Sequence, residues 1–242
     1  MAGKLSIMAT PIGNLEDITL RALRVLRECD VIACEDTRVT KKLLAHFDIA
    51  KQCVALHANS LEKDFVRIET LLEEGKHVVF VSDAGTPGIS DPGLELVSRV
   101  REKLSASART ALGGVVGDVS EVVIEAIPGP SALAAALSIS GLRAAAFTFY
   151  GFLPLKKGRE KLLDEIAASL RASVLYEPPH RILKLLESLA ERLPSDRRVG
   201  VFRELTKMHE EATVGSAADV FRDFSAHADR VRGEFVVIVE AR

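Results

Sequence analysis

Residues 78 to 93 read VVFVSDAGTPGISDPG, and their types and order suit a binding loop. Four apolar residues, Val78 to Val81, run straight into a segment holding Gly85, Gly88, Gly93, Pro87, Pro92 and the acids Asp83 and Asp91. Open α/β sheets gather ligands off the carboxyl ends of their strands. Glycine lets a backbone approach a bound molecule and proline stiffens the turn. The plainer reading is a tight surface turn before a helix that starts near Leu94. Three more polar clusters follow apolar runs: Thr10-Pro11-Ile12-Gly13-Asn14-Leu15, Cys34-Glu35-Asp36-Thr37-Arg38 and Pro128-Gly129-Pro130-Ser131-Ala132. Parallel strands carry such ends to one rim, so the four clusters are expected to converge. The second half adds Tyr176-Glu177-Pro178-Pro179-His180-Arg181 and Arg203-Glu204-Leu205-Thr206-Lys207. Each mixes acid and base where a buried strand meets solvent, and a structural salt bridge is the competing reading for both.

Several chemistries are disfavoured. There is no G-x-G-x-x-G and no G-x-x-x-x-G-K-[ST], which argues against an ordinary dinucleotide fold or a P-loop. Without a G-x-S-x-G elbow, Ser131 reads as a hydrogen-bonding group at a helix N-terminus rather than a nucleophile. Asp83 and Asp91 on one proline-braced loop make a poor cage for Mg²⁺, so no metal site is expected. The formal charge of −2 and the absence of Trp, with only two Tyr, speak against a generic nucleic-acid coater or extensive base stacking. Three cysteines at unrelated spacings read as reduced thiols of a cytoplasmic protein. No apolar run nears the ~20 residues needed to span a bilayer, and the N-terminus lacks a signal-peptide pattern.

These clusters need a scaffold, and the periodicity supplies one. Strands are expected at Leu5 to Ala9, Val31 to Cys34, Val54 to His57, His77 to Ser82 and Glu121 to Ile127. Helices are expected near Leu20 to Arg27, Lys41 to His46, Leu61 to Glu73 and Pro130 to Ile139. Such alternation implies parallel βαβ units. The second half offers strands at Phe147 to Phe152, Ser173 to Tyr176, Val199 to Glu204, Ala212 to Val214 and Phe235 to Glu240, with helices near Arg159 to Leu170 and Ile182 to Arg192. The continuous apolar run Phe235 to Val239 reads as a central strand, and the short late gaps suggest a mixed sheet. A domain boundary is placed near Leu142 to Ala146, dividing the chain into 1–143 and 144–242. Residues 104 to 120, rich in Ser, Ala and Gly, fit neither rhythm and read as a loop, with a hairpin or helix as alternatives.

In order along the chain, ATPIGNLEDIT from Ala9, CEDTR from Cys34, VSDAGTPGISDPG from Val81, IPGPSA from Ile127, GFLP from Gly151, YEPPHR from Tyr176, RELTK from Arg203 and Gly233-Glu234 resemble the tetrapyrrole methylase superfamily. Within it they are similar to the branch that methylates a cytidine 2′-hydroxyl in small-subunit ribosomal RNA. Corrin-pathway members carry Gly-Asp-Pro in the central loop where this chain has Ser82-Asp83-Ala84-Gly85-Thr86-Pro87. The segment from Leu104 to Ser120 is longer than the family's usual connection.

The resemblance implies a two-domain α/β fold of the tetrapyrrole methylase type, with a mainly parallel N-terminal sheet, a mixed C-terminal sheet and S-adenosylmethionine in the interdomain cleft. It further implies a homodimer acting on 16S rRNA, in the context of the 30S subunit. By motif match, Pro11, Ser82, Asp83, Ala84, Gly85, Ser131, Ala132 and Tyr176 are expected around the cofactor. The implied reaction is in-line attack of a ribose 2′-oxygen on the sulfonium methyl, aided by positioning and by a proton acceptor. Glu204, Glu35 and Asp36 are the candidate acceptors; Lys207, Arg38 and Arg203 are candidates for orienting the nucleotide or steadying negative charge. Lys41-Lys42, Lys156-Lys157 with Arg159, Arg197-Arg198 and Arg230 with Arg232 are the candidate RNA-facing cations. The alternatives are a methylase of a small tetrapyrrole and a non-catalytic RNA-binding factor.

Overall fold

The computed structural model describes residues 2–89, 93–111 and 122–242, with the backbone alone for 104–111. It divides into two compact units, Met1–Ser131 and Ala132–Arg242. This break precedes the boundary read from sequence. The helix over Ala132–Ile139 packs on a strand of the second unit, so contacts group it there.

The first unit holds β1 (Lys4–Met8), α1 (Leu20–Glu28), β2 (Val31–Cys34), α2 (Thr37–His46), β3 (Gln52–Ala55), α3 (Glu62–Glu73), β4 (His77–Val81), α4 (Gly93–Ala111) and β5 (Val123–Ile127). The sheet order is β3-β2-β4-β1-β5, with every pairing parallel. Both faces are covered, which explains the unbroken apolar run of β4. Val79 and Val81 pack with Met8, Val25, Leu26 and Leu44 beside α1 and α2. Val78 and Phe80 pack with Phe65, Ile68, Leu96 and Val100 on the face of α3 and α4. Caps set the helix starts: Thr19 accepts from the Ala22 N–H and Asp36 from the Arg38 N–H. The second cap starts α2 four residues before the expected Lys41. α4 continues through Ala111, so the first part of the 104–120 segment is helix rather than loop. The rest of that segment lies outside the described residues.

The second unit holds α5 (Ala132–Ile139), β6 (Phe147–Phe152), α6 (Arg159–Ala168), β7 (Ala172–Glu177), α7 (Pro179–Arg192), β8 (Arg198–Arg203), β9 (Glu211–Ser216), α8 (Ala217–Ala226) and β10 (Phe235–Val239). Its sheet is mixed, in the order β6-β7-β10-β8-β9, with only β6 and β7 parallel. β10 is central and fully buried, as its apolar run implies. Leu163, Ile166, Leu185, Leu189, Val220 and Phe224 pack on the sheet face that carries Leu175, Val201 and Val237. α8 adds a helix to those expected from the periodicity; Ser216 caps it by accepting from the Asp219 N–H, and Val220 and Phe224 stand one turn apart on its buried face.

Just past β10, the buried Glu240 carboxylate pairs with Arg198 at 2.7 Å and accepts the Arg143 N–H at 3.0 Å. Arg198 holds its pKa at about 2, against the opposing effect of burial. The folded-state value is depressed, so the stabilisation is complete above the ordinary 4.5 and is lost as pH falls toward about 2. Glu240→Gln is therefore expected to remove about 2–3 kcal/mol of stability at neutral pH and to flatten the acid limb of a urea-unfolding pH series. An acid limb identical to wild type would refute this.

Candidate active site

The carboxyl ends of β1, β2, β4 and β5 are tied to one another. Thr10 and Gly85 exchange backbone hydrogen bonds in both directions, at 2.9 and 3.0 Å. Gly85 sits at φ +81°, and a Cβ there would meet Ile12 Cγ2 at 3.3 Å. Both facts account for a glycine at this point. The Thr86 hydroxyl donates to the Pro130 carbonyl at 3.0 Å, joining the loop after β4 to the exit of β5. Asp83 Oδ1 accepts the Asp36 N–H at 3.0 Å, and the Asp83 N–H donates to Glu35 Oε1 at 3.3 Å. The four first-half clusters therefore share one rim. On it Asp83 and Ala84 are exposed, Ser131 and Ala132 half-buried, and Pro11, Ser82 and Gly85 buried behind them. Asp91 lies outside the described residues. Among the described residues no cluster of three or more His, Cys, Asp or Glu could hold a metal ion.

Two residues of the Cys34–Arg38 cluster serve structure. Asp36 caps α2 and is gripped by the Arg38 guanidinium at 2.6 Å, which lowers its pKa to about 2. A carboxyl so acidic is a poor proton acceptor. Burial pushes the Cys34 thiol up to about 11, so it is no ready nucleophile.

In the second unit the register sets Glu177, Phe235 and Arg203 side by side across β7, β10 and β8, with Glu211 of β9 beside Arg203 and Phe152 of β6 beside Tyr176. GFLP, YEPPHR, RELTK and Gly233-Glu234 thus open on one edge of this sheet. The charges of YEPPHR are structural. Glu177 is 1 % exposed and pairs with Arg159 at 3.2 Å and Arg181 at 3.0 Å. Burial raises its pKa, partly offset by the two guanidiniums. Arg181 also donates to the Leu153 carbonyl at 3.0 Å. Tyr176 is half-buried, and its Oη accepts the Leu133 N–H at 3.2 Å, in the first turn of α5.

RELTK forms a tight anionic and cationic cluster. Lys207 Nζ lies 2.8 Å from Glu204 Oε1 and 2.7 Å from Glu234 Oε2. The Glu234 N–H donates to Glu204 Oε1, and the Glu204 N–H to the Glu234 carbonyl, both at 3.0 Å. Burial opposes charging either partner. The pair and the Glu234 N–H outweigh it, lowering the Glu204 pKa and raising that of Lys207. Glu204 is therefore held as an anion and Lys207 as a cation. Arg203 is paired to Glu211 at 3.2 Å. The backbone is left-handed at Glu204, φ +51°, and at the β-branched Thr206, φ +66°. Such strain survives only where neighbours over-determine it. Glu234, absent from the sequence-derived site residues, belongs to this cluster; the glycine before it was the available signal.

The cations that the sequence offers as candidate RNA contacts differ in burial and pairing. Arg197 is 2 % exposed and donates to the carbonyls of Glu240, Ala167 and Ser169. Arg159 is buried on Glu177, Arg198 is paired to Glu240, and Arg230 to Glu211 and Asp223 over the Phe224 ring. Arg197 and Arg159 are buried and Arg230 half-buried, whereas Arg198 is paired but exposed. Lys41, Lys42, Lys156, Lys157 and Arg232 are exposed.

The chain belongs to the tetrapyrrole methylase family: the family described as Tetrapyrrole (Corrin/Porphyrin) Methylases matches residues 4–220. A relative from Coprothermobacter proteolyticus is 43% identical over 96% of this chain and 95% of its own length. One from Thermotoga maritima is 40% identical over 99% of each, and one from Bacillus subtilis is 40% identical over 98% of this chain and 75% of its own. All three are named ribosomal RNA small subunit methyltransferase I. Among solved structures, the uroporphyrin-III-C-methyltransferase from Thermus thermophilus aligns with a TM-score of 0.62 at 22% identity, covering 98% of this chain and 94% of that one. A cobalt precorrin-4 methyltransferase aligns with the same TM-score at 18% identity and the same coverage. These two share the fold. The protein is an enzyme, a methyltransferase that uses S-adenosylmethionine as methyl donor. The first-unit rim fits such a donor in its chemistry: the exposed Asp83 carries a carboxylate that suits an ammonium or ribose hydroxyl.

A Cβ on Gly233, at φ +85°, would fall 2.3 Å from the Glu204 carboxyl. Gly233→Ala is expected to cost about 1–3 kcal/mol of stability in urea unfolding through strain and displacement of Glu204. Unaltered stability would contradict the steric account.

Proposed function

We propose that this enzyme transfers a methyl group to the 2′-oxygen of a cytidine ribose in 16S rRNA, acting in the cytoplasm on the 30S subunit. The observation that carries the reading is the set of relatives at 40–43% identity, matched over nearly all of this chain and named for small-subunit rRNA methylation. Pro11, Ser82, Asp83, Ala84, Gly85, Ser131, Ala132 and Tyr176 are the proposed cofactor contacts, with Asp83 and Ala84 presenting polar groups and the buried members shaping the rim behind them. When bound, the donor supplies a methyl made electrophilic by its positive sulfur. The chain must then orient a poor nucleophile and manage its proton.

Lys207 suits electrostatic support of a developing alkoxide, because its pKa is raised and its ammonium is fixed between two carboxylates. Arg203 is proposed to orient the nucleotide. Glu204 and Asp36 are weak proton acceptors, since both pKa values are lowered by cationic partners. Glu35 is retained as a proposed acceptor. A homodimer is proposed on the surface of α5, where ALAAALSI buries only Ala136 and leaves Ile139 49 % exposed.

Tritiated methyl transfer from S-adenosylmethionine to unmodified 30S subunits is expected to label a ribose 2′-position. Label in a base, no label, or label preferentially in a tetrapyrrole would each overturn the reading. Lys207→Met and Arg203→Ala are expected to lower kcat by about 10²–10³-fold while cofactor affinity by calorimetry stays within about threefold. Loss of cofactor affinity would move these residues to the donor site.

A further inference from the structure

GFLP is the one second-half motif to which the mechanism gives no task, and its phenylalanine is oddly placed. Regular alternation from Phe149 would send Phe152 to the sheet face covered by α6, α7 and α8, where Leu175 is buried. The register slips instead: Phe149 pairs with Val174, Gly151 with Leu175 and Phe152 with Tyr176. Gly151, at φ +61°, absorbs the bulge. Bulges near functional sites commonly re-aim one side chain. Here the bulge turns Phe152 away from the core onto the side of Tyr176 and leaves it 54 % exposed.

The exposed ring is firmly supported. Its centroid lies 5.6 Å from that of Tyr176 with the planes at 62°, and Tyr176 meets Phe149 edge-on at 4.9 Å. The loop that follows has a fixed foot, since Leu153 is buried with its carbonyl bound by Arg181, and Arg159 is buried on Glu177. Between these anchors Leu155 is 73 % exposed and Lys156 and Lys157 are exposed. A braced open ring followed by two solvent-facing cations matches the needs of an unpaired base and its flanking phosphates.

We infer that Phe152 is the stacking platform for an unpaired base of the RNA substrate, with Lys156 and Lys157 taking adjacent phosphates. This rests on the RNA reading above and adds the segment that holds the RNA. A second copy of the chain on the same ring, or the adenine of the donor, are the competing occupants.

The chain contains no tryptophan, so Phe152→Trp creates a single fluorescent reporter. Its emission is expected to be quenched saturably by a short single-stranded cytidine-rich RNA and not by S-adenosylmethionine alone. Phe152→Ala is expected to raise KM for 30S subunits about 5- to 100-fold with kcat and donor affinity nearly unchanged, and Phe152→Tyr to restore it. Lys156→Ala with Lys157→Ala is expected to reduce the slope of log affinity against log salt by roughly 1.4. Quenching by the donor alone, an altered oligomeric state of Phe152→Ala in light scattering, or an unchanged KM would overturn the inference. Should wild type methylate 30S ribose while Phe152→Ala keeps its KM, this inference alone fails. Should wild type transfer no methyl to 30S subunits and the reporter ignore RNA, both readings fail.

Discussion

The reciprocal pair of backbone hydrogen bonds between Thr10 and Gly85 is the constraint on which the first unit's chemistry rests. β1 and β4 are parallel neighbours whose chains leave toward opposite sides of the sheet, β1 toward β2 and β4 toward β5. Because β2 lies beyond β4 and β5 beyond β1, the two exits cross. The tie turns the loop after β4 back over β1, placing Asp83 within reach of the α2 cap and Thr86 within reach of Pro130. The main-chain tie is supplemented by the side chains of Thr86, Asp83 and Glu35, each bonded to backbone of a neighbouring loop.

Charge is handled differently in the two units. In the first, Asp36 is neutralised locally by Arg38 two residues away, which leaves Asp83 as an exposed carboxylate. In the second, Glu177 is matched by Arg159 and Arg181 and Glu211 by Arg203 and Arg230, all from other elements, while Glu204 pairs with Lys207 of its own loop. Removing one member of a buried pair leaves its partner uncompensated, so these pairs bind helices and strands into one unit. The Lys207 cluster alone is open to solvent through Glu234, whose side chain is 77% exposed.

Much of the fold was legible because both sheets obey simple periodicity. The apolar runs Val78 to Val81 and Phe235 to Val239 are central strands, and the alternation of strands and amphipathic helices gave a parallel sheet. Edges were read less well. β3 begins at Gln52 because an outermost strand needs no apolar start, and α8 was hidden by its small and polar residues. The positions of the motif residues were legible as strand ends, but their duties were not. For Glu177 and Arg181 the sequence leaves a functional cluster and a structural salt bridge both open; the third partner that makes it a buried ion cluster is Arg159, eighteen residues before Glu177 and on another helix. The bulge that turns Phe152 outward is equally invisible without the register.

Arg197 shows what a single planar fork can join. Its three nitrogens each reach a carbonyl: Glu240 just past the last strand, Ala167 near the end of α6, and Ser169 just beyond that helix. An ammonium in its place would be a compact donor without the breadth to serve three diverging oxygens. Lysine there would leave main-chain acceptors dry and unmet, and the chain's last residues would lose their anchorage to the helix behind them.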